Sequence, residues 1–112
     1  MNTLNFFTYQ GEARKTAIYP DVGYNLVYPT LGLNGEAGEI AEKVKKLFRD
    51  ADGKRTSEFR NQMEDELGDV LWYVAALCDE MRFSMANVAK KNLEKLDDRQ
   101  SRNKLSGSGD NR

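Results

Sequence analysis

Two short acidic pairs carry the clearest chemistry in this sequence, Glu36-x-x-Glu39 and Glu66-x-x-Asp69. Residues three apart in a helix lie on the same side of it, so each pair would present its two carboxylates together. If the four groups met, two of them about 4 Å apart would repel by roughly 4 kcal/mol at an effective dielectric near 20. Such a group must bind protons, pair with lysines or hold cations.

Two interpretations of these pairs follow from the residues alone. On a highly charged helix, an acidic pair is most often a solvated surface. As a metal site, carboxylate oxygens with no histidine or thiolate beside them would favour Mg²⁺ or Mn²⁺ over zinc. Magnesium keeps several waters and usually shares its coordination shell with substrate phosphates, which would make a nucleotide the natural ligand.

Both pairs fall in segments with the periodicity of amphipathic helices, each at the margin of the apolar side. One helix is predicted from near Thr30 to about Arg49, and the next over roughly 58–82. The DADGKRTS segment between them is a turn by composition, with Thr56 or Ser57 as the cap of the following helix. A connection this short favours an antiparallel helix pair, which could bring the two acidic margins together.

A shorter helix is predicted ahead of this pair, over residues 3–18, with Thr3 as its N-cap. Apolar or aromatic residues at positions 6, 9, 13 and 17 give this segment a helical spacing. The next segment, from Tyr19 to Pro29, contains both prolines of the chain and is predicted to be a connector.

A last helix is predicted from Ser84, its cap, through about Arg99. Its expected buried side consists of Met85, Val88, Ala89, Leu93 and Leu96. No segment alternates as a half-buried strand does, so the predicted fold class is all-α with four helices. The chain has the length of one domain, placed over residues 1–105, and the 106–112 tail is expected to be flexible from its composition.

Composition excludes several classes of site. Without any histidine, the chain has no Ser/His or Cys/His catalytic arrangement and no zinc site built on histidine. A net charge of −1 gives no global basic field, so nucleic acid is not an expected partner. The single cysteine, Cys78, falls on the apolar side of a predicted helix and is expected to be a core residue.

The expected location is the cytoplasm, without contact with a membrane. No apolar run approaches the length of a membrane span, and the first ten residues lack the basic start and apolar region of a signal peptide. A chain with one cysteine also suits a reducing compartment.

The acidic pairs and the residues around them resemble a known family. The segments GLNGEAGEIAEKVKK and EDELGDVLWYVAAL are similar to the MazG-like all-α nucleoside triphosphate pyrophosphohydrolases, relatives of dimeric dUTPases and dCTP pyrophosphatases. That family has E-x-x-E, a spacer and then E-x-x-D, and the spacer here is residues 40–65. The resemblance extends to TAIYP, YPTLGL, KKNLEKLDDR and GSGDNR, so it covers nearly the whole chain. It implies a MazG fold, similar to a four-helix bundle.

The activity implied by the resemblance is hydrolysis of an NTP or dNTP between its α- and β-phosphates. The products would be a monophosphate and pyrophosphate, with Mg²⁺ as the cofactor or Mn²⁺ as its substitute. The metal ligands would be Glu36, Glu39, Glu66 and Asp69. One of the glutamates, Glu39 in the first place with Glu36 as the other catalytic candidate, would instead orient or deprotonate the attacking water. Phosphoryl transfer relies mainly on positioning and electrostatics, so no protein nucleophile is needed.

Five further residues are candidates for binding the nucleotide. Asn92 and Lys95 match the N-x-x-K of the family's last helix, although by spacing alone they form only a polar face. Lys43 and Lys46 lie one or two turns beyond the first acidic pair and could meet phosphate oxygens or, equally, pair with nearby glutamates. Tyr73 could stack on a base or pack in the core or an interface.

Members of the family assemble as dimers or tetramers with pockets near subunit boundaries. The resemblance therefore implies a homodimer or homotetramer in which a second chain completes the nucleotide pocket. A small, highly charged chain buries proportionally little surface, which favours the same conclusion. The GSGDNR segment is a further candidate for contact with substrate, as part of the resemblance.

Two other functions remain open from the sequence. The first is a non-catalytic helical oligomer that binds a nucleotide or a partner, its acidic residues being solvated. The second is a dimetal carboxylate redox protein of the four-helix type. The absence of histidine disfavours the second, because the usual ligands of that class include Glu-x-x-His.

Overall fold

The computed structural model describes residues 3–112 and contains four helices within them. They are α1 (Phe6–Arg14), α2 (Val27–Ala51), α3 (Ser57–Glu80) and α4 (Met85–Ser101). No strand occurs in this part of the chain, so the prediction of an all-α fold with four helices is confirmed. Within the same residues, no helix combines the length and the apolar character needed to cross a bilayer.

Local hydrogen bonds set the start of α1. The Asn5 side chain accepts from the Thr8 N–H at 2.8 Å, and the Thr8 hydroxyl accepts from the Asn5 N–H at 2.9 Å. This reciprocal box makes Asn5 the N-cap. The prediction of Thr3 as the cap is wrong, because Thr3 precedes the box and contributes only its carbonyl to the Thr8 hydroxyl. The helix ends at Arg14, short of the predicted residue 18.

The start of α2 differs from the prediction because of a proline. The helix begins at Val27, ahead of the predicted Thr30, and therefore includes Pro29 in its first turn. Proline is tolerated there because the first N–H groups of a helix have no acceptor within it. The Asn25 side chain accepts from the Tyr28 N–H at 3.0 Å and supports this start. Placing Pro29 in the connector was wrong for this reason.

Side-chain caps set the starts of α3 and α4. The Thr56 hydroxyl accepts from the Phe59 N–H at 3.1 Å, and the Ser84 hydroxyl accepts from the Asn87 N–H at 3.2 Å. Each bond satisfies a donor that has no partner inside its helix. The predictions of Thr56 and Ser84 as caps are confirmed.

α2 and α3 form the antiparallel hairpin that the short turn favoured. The chain reverses at Asp52 and Gly53, whose backbones are left-handed with φ of 55° and 77°. A side chain of α3 lies directly on α2 at Gly32, where an added Cβ would be 2.1 Å from Cε1 of Tyr73. A glycine at this position therefore lets the Tyr73 ring lie directly on α2.

The core lies where α1 and α4 pack on the C-terminal half of α3. Buried Cys78 lies in it together with Ala75 and Met85. Partly buried residues of α1 and α3 pack against this group: Tyr9, Ala13 and Val74. Cys78 is the core residue that its position predicted, and burial raises the pKa of its thiol.

A single chain leaves apolar surface uncovered on all four described helices. Val88, Leu93 and Leu96 were predicted to be buried but are exposed, Leu93 by 67%. The prediction is wrong for these residues because, among the described helices, α4 packs only against α1 and α3. On the hairpin, Phe48 of α2 and Leu67 of α3 are exposed as well.

Candidate metal centre

Three carboxylates meet where α2 and α3 face each other. Glu36 lies on α2, Glu66 and Asp69 lie on α3, and one oxygen of each is within 4.8 Å of the other two. The antiparallel hairpin allows this meeting because Glu66 and Asp69, three residues apart, share one side of α3. We call Glu36, Glu66 and Asp69 the acidic trio.

The charges of the acidic trio are only partly compensated. Burial raises the pKa of Glu36, and the negative charges of Asp69, Glu66 and Glu39 raise it further. One oxygen of Glu66 lies 3.7 Å from the Lys43 ammonium, while its other oxygen is buried without a hydrogen-bond partner among the described residues. A buried carboxylate oxygen in that position is unfavourable unless a proton or cation joins it. The donor set therefore fits a hard divalent cation such as Mg²⁺ or Mn²⁺.

Glu39, the fourth predicted ligand, lies apart from the acidic trio. Its side chain is exposed on α2, and the oxygens grouped within 4.8 Å in the described chain do not include its own. It is near enough for its charge to raise the pKa of Glu36. Its roles as a metal ligand and as the residue that activates water stay predictions.

A groove of about 540 Å³ runs between the end of α2 and the start of α3. Lys43 and Lys46, the predicted phosphate-binding lysines, both line it, together with Lys54 from the turn. We call it the lysine groove. Helical spacing gave no sign of Lys54, because this residue lies outside both helices and only the folding of the turn places it beside the other two.

Tyr73 packs against α2 close to the acidic trio. Its ring centroid is 6.4 Å from that of Tyr28, and Trp72 meets it edge-on at 5.0 Å. Burial raises the pKa of Tyr73, and Tyr28, Glu36 and Asp69 raise it further. The ring thus helps to close the hairpin next to the carboxylates, and its stacking on a base stays a prediction.

Asn92 and Lys95 lie on α4, which packs against α3 but not against α2 in the described part of the chain. In the described residues, no Cα of α4 is within 8 Å of a Cα of α2. The Lys95 ammonium instead pairs with Asp110 of the tail at 3.1 Å. In one chain Lys95 therefore pairs with the tail and not with the carboxylates, and the contact of Asn92 and Lys95 with a nucleotide stays a prediction.

The tail makes a contact that the sequence analysis missed. The buried Arg99 guanidinium donates to both the carbonyl and the carboxylate of Asp110. Hydrogen bonds from Lys95 and Arg99 lower the pKa of Asp110. Lys95 and Arg99 are four residues apart on one side of α4, and this spacing indicates a place where an anion could bind. It does not indicate that the anion is Asp110 of the tail. The flexibility expected for residues 106–112 stays a prediction.

Comparison with known proteins agrees with this geometry. The family described as "MazG nucleotide pyrophosphohydrolase domain" matches residues 29–103, which include both acidic pairs. The "Gene 37 protein" of Mycobacterium phage L5 is 50% identical over 109 residues, covering 93% of this chain and 96% of that protein. No solved structure matches the chain. Since the match spans most of the chain and its acidic pairs, the protein belongs to the MazG nucleotide pyrophosphohydrolase domain family.

Proposed function

We propose that this protein hydrolyses a nucleoside triphosphate, NTP or dNTP, between its α- and β-phosphates to a monophosphate and pyrophosphate. The observation that supports this most directly is the acidic trio, whose three carboxylates come from both acidic pairs and lie within 4.8 Å of one another. Membership of the MazG family supplies the class of reaction.

Mg²⁺ is the proposed cofactor, with Mn²⁺ as a substitute. Glu36, Glu66 and Asp69 would hold it, with Glu39 as a fourth ligand from the exposed rim. When bound, the ion would neutralise charge on the phosphates and lower the pKa of the attacking water. The buried Glu66 oxygen supports this assignment, because a cation would provide the partner that the described residues do not.

The side chains around the trio have separate parts in the proposed reaction. As the alternative to its role as fourth ligand, Glu39 orients the attacking water and accepts its proton, a role open to an exposed carboxylate at the rim of the site. Lys43 and Lys46 bind phosphate oxygens from the lysine groove. Tyr73 offers part of its ring to the base. The protein supplies no nucleophile, because transfer at phosphorus depends on positioning and electrostatics.

A second copy of the chain completes the proposed site. Apolar residues such as Phe48 on α2 and Leu93 on α4 are exposed, and extensive surface of this kind favours association. Because no Cα of α4 lies within 8 Å of a Cα of α2 in the described part of one chain, and Lys95 pairs with Asp110, Asn92 and Lys95 would reach the nucleotide from a neighbouring subunit. We expect a homodimer, or a homotetramer built from two such dimers.

Product analysis tests the proposed reaction. Incubation with a panel of NTPs and dNTPs plus Mg²⁺, followed by phosphorus NMR, should yield a monophosphate and pyrophosphate. Orthophosphate as the first product would place the cleavage at a different bond. Absence of turnover with every nucleotide, with Mg²⁺ and with Mn²⁺, would favour the non-catalytic helical oligomer that binds a nucleotide or a partner.

Substitutions in the acidic trio test the site. Glu66→Gln and Asp69→Asn should each lower kcat by about 100-fold or more, because each removes a charged ligand and keeps the side-chain shape. The double variant should be little worse than either single one, since the ligands act as a unit. Glu64→Gln and Asp65→Asn are matched controls at exposed positions of α3 and should keep nearly full activity. Retained turnover in both trio variants, with circular dichroism unchanged, would refute the assignment.

A further inference from the structure

Lys43 lies between the acidic trio and the lysine groove. Its ammonium is 3.7 Å from Oε1 of Glu66, and the two side chains are only 28% and 18% exposed. The same lysine lines the groove with Lys46 and Lys54. A modest rotation of its long side chain would therefore carry its charge from the carboxylate to the groove.

A divalent cation and Lys43 compete for the same carboxylate. An ion bound by Glu66 would repel the Lys43 ammonium, which lies within ion-pair distance of that residue. The partly buried surroundings of the pair screen this repulsion less than solvent would. Binding of the ion would thus displace Lys43 toward the side on which it already borders the groove.

The lysine groove stays attractive to anions despite two acidic residues in its lining. Asp50 is engaged by the Arg49 guanidinium through bonds of 2.7 and 2.8 Å. Glu58 accepts from the neutral Gln62 amide at 3.4 Å and keeps its charge, so the three lysines of the lining stand against one carboxylate without a cationic partner. In the described chain, Lys46 and Lys54 have no acidic partner within 4.0 Å, whereas Lys43 pairs with Glu66. The groove therefore keeps unpaired positive charge.

The positions of Lys43 and Lys46 on α2 also favour binding of a phosphate group. Lys43 and Lys46 are three residues apart on α2 and share one side of it. Both lysines line the groove, and Lys43 also lies 3.7 Å from Glu66, so the groove adjoins the acidic trio. A diphosphate group held at the acidic trio would extend into the space that these two ammonium groups face.

We infer that Lys43 is an exchangeable counterion that couples metal binding to diphosphate binding. It pairs with Glu66 until a divalent cation binds the acidic trio, and then turns into the groove to bind, with Lys46, the diphosphate part of the substrate or the pyrophosphate product. This inference rests on the proposed function, because it takes the acidic trio to be the metal centre.

The exchange predicts effects of opposite sign from one substitution. Lys43→Met removes the competitor for Glu66, so Mn²⁺ alone should bind about 3- to 10-fold more tightly. The same variant loses a charged phosphate partner, so methylenediphosphonate should bind the Mn²⁺-loaded protein about 10-fold more weakly. A general structural defect would weaken both, so the opposite signs distinguish the exchange from damage to the fold.

Binding titrations on the intact 112-residue chain test this. Mn²⁺ is titrated into chelator-treated protein by calorimetry and by electron paramagnetic resonance, and methylenediphosphonate is then titrated at saturating Mn²⁺. Lys45→Met is the matched control: Lys45 is exposed on the same helix and pairs with Glu42 at 3.0 Å, so both affinities should stay near wild type. Lys46→Met should weaken only diphosphonate binding.

The outcomes separate the inference from the function on which it rests. If wild-type protein takes up no Mn²⁺, with or without a nucleotide, the metal centre and the exchange both fail. If it binds Mn²⁺ but Lys43→Met binds the ion no more tightly, the exchange is wrong while the proposed hydrolysis stands. Should Lys43→Met fold poorly, Lys43→Gln and Lys43→Arg replace it, and the arginine variant must then bind Mn²⁺ like wild type.

Discussion

Glu80, at the end of α3, holds the connector that leads into α2. Its carboxylate accepts from the Tyr19 hydroxyl and from the N–H groups of Gly23 and Asn25, the latter two at 2.7 and 2.9 Å. Burial alone would raise the pKa of Glu80, but these donors outweigh it and lower the pKa. The ionised carboxylate thus stabilises the connector, and Asn25 in turn supports the start of α2.

Glu80→Gln should lower the free energy of unfolding by about 1–3 kcal/mol at pH 7, because bonds to a charged acceptor become weaker ones. The folded-state pKa lies below the unfolded value of about 4.3, so the stabilisation is present above that pH and is lost as the pH falls through the folded pKa. Denaturant unfolding of the two proteins should therefore converge in acid. Glu64→Gln, an exposed carboxylate on α3, is the control and should match wild type throughout. A difference independent of pH would contradict this account.

Individual site residues could be predicted only where spacing within one helix decides their position. Glu66 and Asp69 share a side of α3 because they are three residues apart. Spacing does not fix how α2 is rotated against α3, so it could not show that Glu36 joins the trio while Glu39 stays exposed. Glu80 was missed because its donors lie 55 to 61 residues away in sequence.

Among the elements, the α2–α3 hairpin depends on the close approach at Gly32. A methyl group there would lie 2.1 Å from Cε1 of Tyr73, whose ring is held by Tyr28 and Trp72. Gly32→Ala should therefore destabilise the protein by about 1–3 kcal/mol through overpacking. This loss would appear even though alanine is intrinsically better than glycine in a helix by about 1 kcal/mol.

Gly38→Ala is the matched control for Gly32, in the same helix. A Cβ at Gly38 meets no atom within 4 Å, so this substitution should stabilise the protein by about 0.4–1 kcal/mol. Thermal unfolding of the two variants should thus move in opposite directions from wild type. A similar gain in both would contradict the packing of Tyr73 on α2.

The helices themselves could be predicted because each carries a sustained apolar period, whereas their ends depend on single residues. Thr56 and Ser84 were found since a polar cap directly precedes the apolar repeat. Pro29 misled the prediction because proline interrupts a helix interior but is accepted in a first turn. Thr3 was misplaced because only the hydrogen bonds between Asn5 and Thr8 select the cap.

For the whole molecule, the fold class could be predicted but the pattern of burial could not. Val88 and Leu93 lie on the apolar side of α4, yet the described part of the chain leaves 41% and 67% of them exposed. Periodicity identifies a surface that prefers burial without identifying what buries it. We propose that another copy of the chain buries this surface. The α4 helix of one subunit would then complete the nucleotide site of its neighbour.

Mixing two inactive variants tests whether subunits share a site. Glu66→Gln lacks a trio carboxylate, and Lys95→Met lacks the α4 ammonium group proposed to bind the nucleotide. Each variant should therefore be nearly inactive alone. If a site combines the trio of one subunit with α4 of its neighbour, each mixed dimer has one intact site, and about a quarter of wild-type activity should return on co-refolding. Pyrophosphate release measures the recovery.

Glu66→Gln mixed with Asp69→Asn is the control and should stay inactive, since every trio is then defective. Recovery no greater than in this control would mean that each site is built within one chain.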